Sequence, residues 1–218
     1  MSKSYNSTYV DKVIKCEIES LTEHIDGRYL LKVKLKNNCT DTLTIVMMNP
    51  SKANESCSDD TVDKVTSFVY QMNLSEDSLV RNIGFINIVN IFPAYESNSS
   101  ELSDILDNII SDGKLVLMQN KNKTIFDRAL SESESVVLAW GDVPSKVNAK
   151  NHTHEVIMMY NLLEKYDLLG NTYVLKYREY EQILTNKKRP RHPGRKTPIS
   201  YVKATKIKLE RNFLYISL

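Results

Sequence analysis

A chain of 218 residues with 41% hydrophobic and 26% charged side chains has the make-up of a soluble globular protein, long enough to bury a sizeable core in one domain. No apolar run nears the roughly 18 residues of a membrane-crossing helix, and the opening MSKSYNSTYVDK lacks the apolar stretch of a secretion signal, so neither a membrane partner nor export is expected. The net charge of +2 hides an uneven distribution: residues 186–211 hold ten Lys/Arg against the single acid Glu210, which leaves the remainder at −7.

The elements follow in chain order. Residues 10–19 alternate apolar and polar (Val10, Ile14, Cys16, Ile18), and residues 29–35 do so more cleanly; with Asp26-Gly27 as a turn signal, the two predict a β-hairpin. Residues 43–48 are continuously apolar, as in a parallel strand covered on both faces. From Asp60 the period becomes helical (Val62, Val65, Phe68, Val69, Met72), and Asp59 or Asp60 can cap that helix. Residues 83–92 predict the next strand, interrupted by Asn87 and Asn90. Helices follow around 102–109 and 115–130, then a strand at 136–140, a helix at 156–166, a strand at 173–177, and a last strand or hairpin arm at 207–218. Strands alternating with helices predict a three-layer α/β/α domain over 1–218. Its central sheet is mostly parallel and four-stranded within a core at 41–200, and residues 1–40 form an N-terminal β-hairpin extension. The three cysteines (Cys16, Cys39, Cys57) are odd in number and lack metal spacing, which fits a reduced, cytoplasmic setting and no metal.

In parallel sheets, ligands bind off the carboxyl ends of the strands. The predicted strands end there in Asn49-Pro50-Ser51, Asn90-Ile91-Phe92-Pro93, Ala139-Trp140-Gly141-Asp142 and, beyond the fourth, Arg191-His192-Pro193-Gly194-Arg195. Each has a plain structural explanation: Asn-Pro initiates turns, Trp140 packs in a core, the acidic pair caps a helix, and a basic run is solvated. Four loops placing polar groups on one edge carry more weight than any one of them.

The ordered set MMNPS (47–51), DDT (59–61), NIVNIFP (87–93), LAWG (138–141) and RHPGR (191–195) resembles a bacterial and phage domain family of unknown function sharing an NPS…DD…NLF…AWG…HP pattern, over about residues 40–200. More distantly it is similar to the uracil-DNA glycosylase superfamily. That resemblance implies catalytic roles for Asn49, matching the water-positioning residue, and His192, matching the late histidine near the leaving base. It implies a base-reading role for Asn90 and a substrate-binding set completed by Phe92, Ser51, Asp60 and Trp140. The sequence departs from the superfamily in Met48 before the loop, in Asn rather than Asp at 49, and in Gly-Arg after His-Pro, so the resemblance bears on fold more than on uracil specificity.

The chemistry so implied is hydrolysis of the N-glycosidic bond of a modified or damaged base, in repair or phage–host conflict. A His donor stabilises the departing base anion, an Asn amide orients water, and the nucleotide is flipped into the pocket, where Phe92 or Tyr95 stacks on it. DNA is the expected partner, its phosphates met by Lys187, Lys188, Arg189, Arg191, Arg195 and Lys196. No cofactor is expected, because no Walker loop, GxGxxG or zinc spacing is present. The competing readings are a non-catalytic module that binds a nucleotide or modified base, and an enzyme acting on free nucleotides.

Overall fold

The computed structural model describes residues 3–96, 101–194 and 196–218. Two long strands, β1 (Val10–Ser20) and β2 (Asp26–Leu35), pair antiparallel as a hairpin. The turn falls at 21–25, and Asp26 and Gly27 already belong to β2. Strand β3 (Asp41–Met47) leads into α1 (Asp60–Leu74), followed by β4 (Ile83–Asn90), α2 (Leu102–Ser111), α3 (Leu115–Ser131), β5 (Ser135–Leu138), α4 (Ala149–Lys165) and β6 (Thr172–Lys176). Strand β7 (Ser200–Lys203) precedes a separate hairpin of β8 (Lys206–Glu210) and β9 (Phe213–Ser217).

The main sheet has seven strands in the order β1-β2-β4-β3-β5-β6-β7, larger than the four-stranded sheet expected from sequence. Its middle is the parallel set β4-β3-β5-β6. The correction lies at the edges. The hairpin is no appendage, because β2 pairs antiparallel with β4 through Leu31 to Lys34, and β7 adds an antiparallel strand beside β6.

Both faces are covered, which is why β3 reads as an unbroken apolar run. On one face Ile45 and Met47 pack with Val62, Val65, Phe68 and Val69 of α1. On the other, Val46 and Met48 join Leu106, Phe126 and Met159 from α2, α3 and α4. Because β3 is flanked by β4 and β5 while its crossover helix α1 lies on the opposite face from α2–α4, the chain diverges at the carboxyl end of β3, where open α/β sheets form a ligand crevice.

Gly84 shows how closely β4 meets the turn before β3: a Cβ there would lie 1.9 Å from the Cys39 carbonyl oxygen. Gly84→Ala must push backbone against backbone and is expected to destabilise the protein by about 1–3 kcal/mol in urea titrations, without change of oligomeric state.

Candidate functional site

The corner at 49–51 is built by one carboxylate. Asp59 caps α1, accepting from the N–H groups of Thr61 at 2.9 Å and Val62 at 3.0 Å through Oδ1. Its other oxygen accepts from the Ala53 N–H at 3.0 Å and from the Ser51 hydroxyl. One buried side chain thus fixes both the helix start and the Asn-Pro-Ser loop that leads to it. The neighbouring loop after β4 is clipped on by main-chain bonds: Ile91 N–H to the Met47 carbonyl at 2.8 Å, Phe92 N–H to that of Met48 at 2.9 Å, and Glu96 N–H to that of Pro50 at 3.1 Å. Asn49 Nδ2 donates to the Glu96 carbonyl. That bond orients the amide, because only its nitrogen can donate to a carbonyl, so Oδ1 is the acceptor left to the surroundings.

The third and fourth corners interlock. Gly141 adopts φ +78°, donates to the Pro190 carbonyl at 2.8 Å, and packs so tightly that a Cβ would lie 3.1 Å from that of His192. A side chain there meets both an unfavourable backbone region and a filled space. The loop's other side is anchored by Lys64 of α1, whose Nζ donates to the Gly194 carbonyl at 2.7 Å. The Gly194 N–H donates to His192 Nδ1 at 3.0 Å. Nδ1 is therefore the acceptor nitrogen, and the neutral ring carries its proton on Nε2. Burial pushes the His192 pKa down to about 4; Asp59 opposes and Lys64 adds to the shift. At neutral pH His192 is an uncharged N–H donor.

These corners enclose a cleft of about 550 Å³, within the range of small-molecule sites. Met47, Met48 and Trp140 lie under it, nearly fully buried. Asn49, Ser51, Thr61 and Glu96 lie on its walls, with Asp142, Tyr180, His192, Gly194 and Lys196. Asn49, Ser51, Trp140, His192 and Lys196 thus come together as the sequence suggests.

Other expected residues stand elsewhere. Asn90 is fully buried and is not on the cleft wall. Strand alternation sends Val89 to the α2–α4 face and Asn90 to the other, level with Met47, and among the described residues neither of its amide atoms has a hydrogen-bond partner. Phe92 is also fully buried, its ring centroid 6.3 Å from that of His152, so it cannot stack on a ligand in the cleft. Asp60 is exposed and pairs with Lys3 at 3.0 Å, because the capping role belongs to Asp59. Asp60 lies off the cleft wall.

The basic segment is partly committed to structure. Arg191 lies 3.9 Å above the Tyr180 ring and donates to the carbonyls of Gln182 and Leu184, both at 3.0 Å, so its guanidinium is held in the loop with Nη1 uncommitted by these bonds. Arg189 is half-buried beside Asp142. Lys187 and Lys188 are exposed, Lys196 reaches the cleft 3.8 Å from Glu179, and Arg195 lies outside the described residues. Glu96, Tyr180 and Lys64 are contributors that sequence reasoning missed. Only the position of Glu96 just after the Asn-Ile-Phe-Pro corner hinted at one of them.

A family model described as a protein of unknown function (DUF1643) matches residues 28–194. No curated protein and no solved structure matches the chain. No described helix is long and apolar enough to cross a membrane, and no described group of three or more His, Cys, Asp or Glu could hold a metal ion.

Two expectations follow. Asp59→Ala removes a cap and leaves buried donors unpaired, and is expected to lower stability by about 2–4 kcal/mol, whereas Asp60→Ala leaves the urea midpoint nearly unchanged. Burial holds both His192 and His152 at about 4, below their ordinary 6.5. The unfolded chain therefore binds more protons between those values, so stability is full above about pH 6.5 and falls as pH drops towards 4. Urea midpoints measured across that window show a weaker slope in the His152→Gln/His192→Gln double variant.

Proposed function

We propose, from the premise that this chain belongs to the DUF1643 family, that it is a glycosylase-like hydrolase cleaving the N-glycosidic bond of a modified or damaged base in DNA. The observation that carries this reading is His192 itself: it lines the same cleft as Asn49, burial holds its ring neutral, and its Nδ1 is occupied by the Gly194 N–H, which leaves Nε2–H as its donor. The distant resemblance of the MMNPS, LAWG and RHPGR stretches to uracil-DNA glycosylases supports the same chemistry.

In this reaction the bond between C1′ and the base nitrogen breaks, and its electron pair leaves with the base. His192 Nε2–H donates to the base oxygen on which that charge accumulates, a contact stronger in the transition state than in the ground state. Water adds to the cationic C1′. Asn49 Oδ1 accepts one of its hydrogens and so aims the oxygen, while the proton released passes to the departing base or to solvent. Asn49 cannot serve as a strong base, which suits a base that leaves easily. Trp140, Met47 and Met48, all nearly fully buried, form the apolar floor beneath the site of the flipped heterocycle. Phosphates would be met by Lys196, which lines the cleft, and by the exposed Lys187 and Lys188.

The second reading, a non-catalytic module for a nucleotide or modified base, is favoured by one observation: position 49 holds a neutral amide, which can orient a ligand or water but takes up no proton. The test is a panel of oligonucleotides, each carrying one modified base, assayed for alkali-labile abasic sites. At least one is expected to release its base. His192→Ala is expected to slow that release roughly a hundredfold or more while affinity changes only a few fold. Retention of the panel with no base released, and affinity alone lost in His192→Ala, would instead establish the binding module.

A further inference from the structure

Beyond the wall formed by Ser51 and Glu96 lies a second groove of about 620 Å³ that shares those two residues with the cleft. Tyr95 stands in it as a fixed aromatic plate. Its hydroxyl donates to the Ala53 carbonyl at 3.2 Å, and its N–H donates to the Asp26 carbonyl at 3.0 Å. The guanidinium of Arg28 lies 6.0 Å from the ring centroid and donates to the same Ala53 carbonyl at 2.6 Å. Arg28 is fully buried, and among the described residues its Nε and Nη2 have no partner. The ring is thus tied at its hydroxyl, with a buried cation beside it and its outer part facing the groove. Ile18, 46% exposed, joins Ile25 and Ile105 as apolar surface, and the exposed Lys52 stands at the edge. The Asp26 carboxylate, also on the wall, accepts from the Ser20 hydroxyl at 2.7 Å.

We propose that this groove is a second nucleotide subsite, in which the base next to the one held in the cleft stacks on Tyr95 and its phosphate meets Lys52 near the field of Arg28. The inference rests on the nucleic-acid reading of the cleft and extends it: the substrate is a flexible single strand, or a strand locally opened, that bends over the Ser51–Glu96 wall. An ordered aromatic face with apolar flanks and a nearby cation is the usual platform for an unpaired base, indifferent to its identity.

The experiment is displacement of a 5′-fluorescein-labelled pentathymidylate by unlabelled thymidylates of one, two and three residues. Wild type is expected to gain about tenfold in affinity from one residue to two. Tyr95→Ala loses that gain, in line with the roughly five- to hundredfold that base stacking contributes. Tyr95→Phe keeps it. Lys52→Ala, an exposed change with no packing role, lowers the salt dependence of dinucleotide binding by about one counterion. Equal affinities for one and two residues in wild type, or a step untouched by both Tyr95→Ala and Lys52→Ala, overturn the subsite. Failure of the hydrolase reading looks different: the length-dependent step persists and remains sensitive to Tyr95, yet no base is released from any oligonucleotide.

Discussion

The cleft depends on the Asp59 carboxylate. Its two oxygens accept four hydrogen bonds, two from the first turn of α1 and two from the loop that leaves β3. A buried carboxylate is tolerable only when its lone pairs are filled, and here they are filled by groups that must be held together for a site to exist. Asn49 owes its position to that bond set, and Lys64, one helical turn further along α1, carries the same registration across to the loop of His192. The three parts of the cleft are thereby referenced to one helix start.

Electrostatically the cleft is mixed. Glu96 and Asp142 stand on its walls with Lys196, and the histidine beside them is neutral. Such a lining is suited to directional hydrogen bonds with an uncharged group, and Lys187 and Lys188 are exposed outside it. The acidic remainder of the chain argues against indiscriminate coating of nucleic acid.

Much of the parallel core was legible in the sequence, because burial on both faces leaves unbroken apolar runs, as at residues 43–48, and helix periods are long enough to recognise. The pairing of β2 with β4 was not, since nothing in either strand encodes a partner some 55 residues away. At the site, residues on turns were easier to place than residues in strands. Asn49, Ser51 and His192 sit in corners whose Pro and Gly neighbours mark them. Asn90 and Phe92 were misplaced because near the end of a strand the motif does not say to which face a side chain turns. Asp60 entered the substrate set only through the resemblance, and it stands on the surface paired with Lys3. The basic run resisted reading for another reason: composition counts Arg191 as a free cation, whereas Tyr180 and two carbonyls hold it.

The loops around the cleft are joined largely through peptide oxygens: those of Ala53, Glu96, Pro190 and Gly194 receive Arg28, Asn49, Gly141 and Lys64 respectively. A carbonyl persists whatever side chain accompanies it. Substitutions at lining positions such as Thr61 and Asp142 therefore leave these main-chain acceptors in place, whereas Ala53 is fully buried and has no room for a larger side chain. A scaffold secured in this way separates the groups that hold its loops together from the side chains that line its cleft.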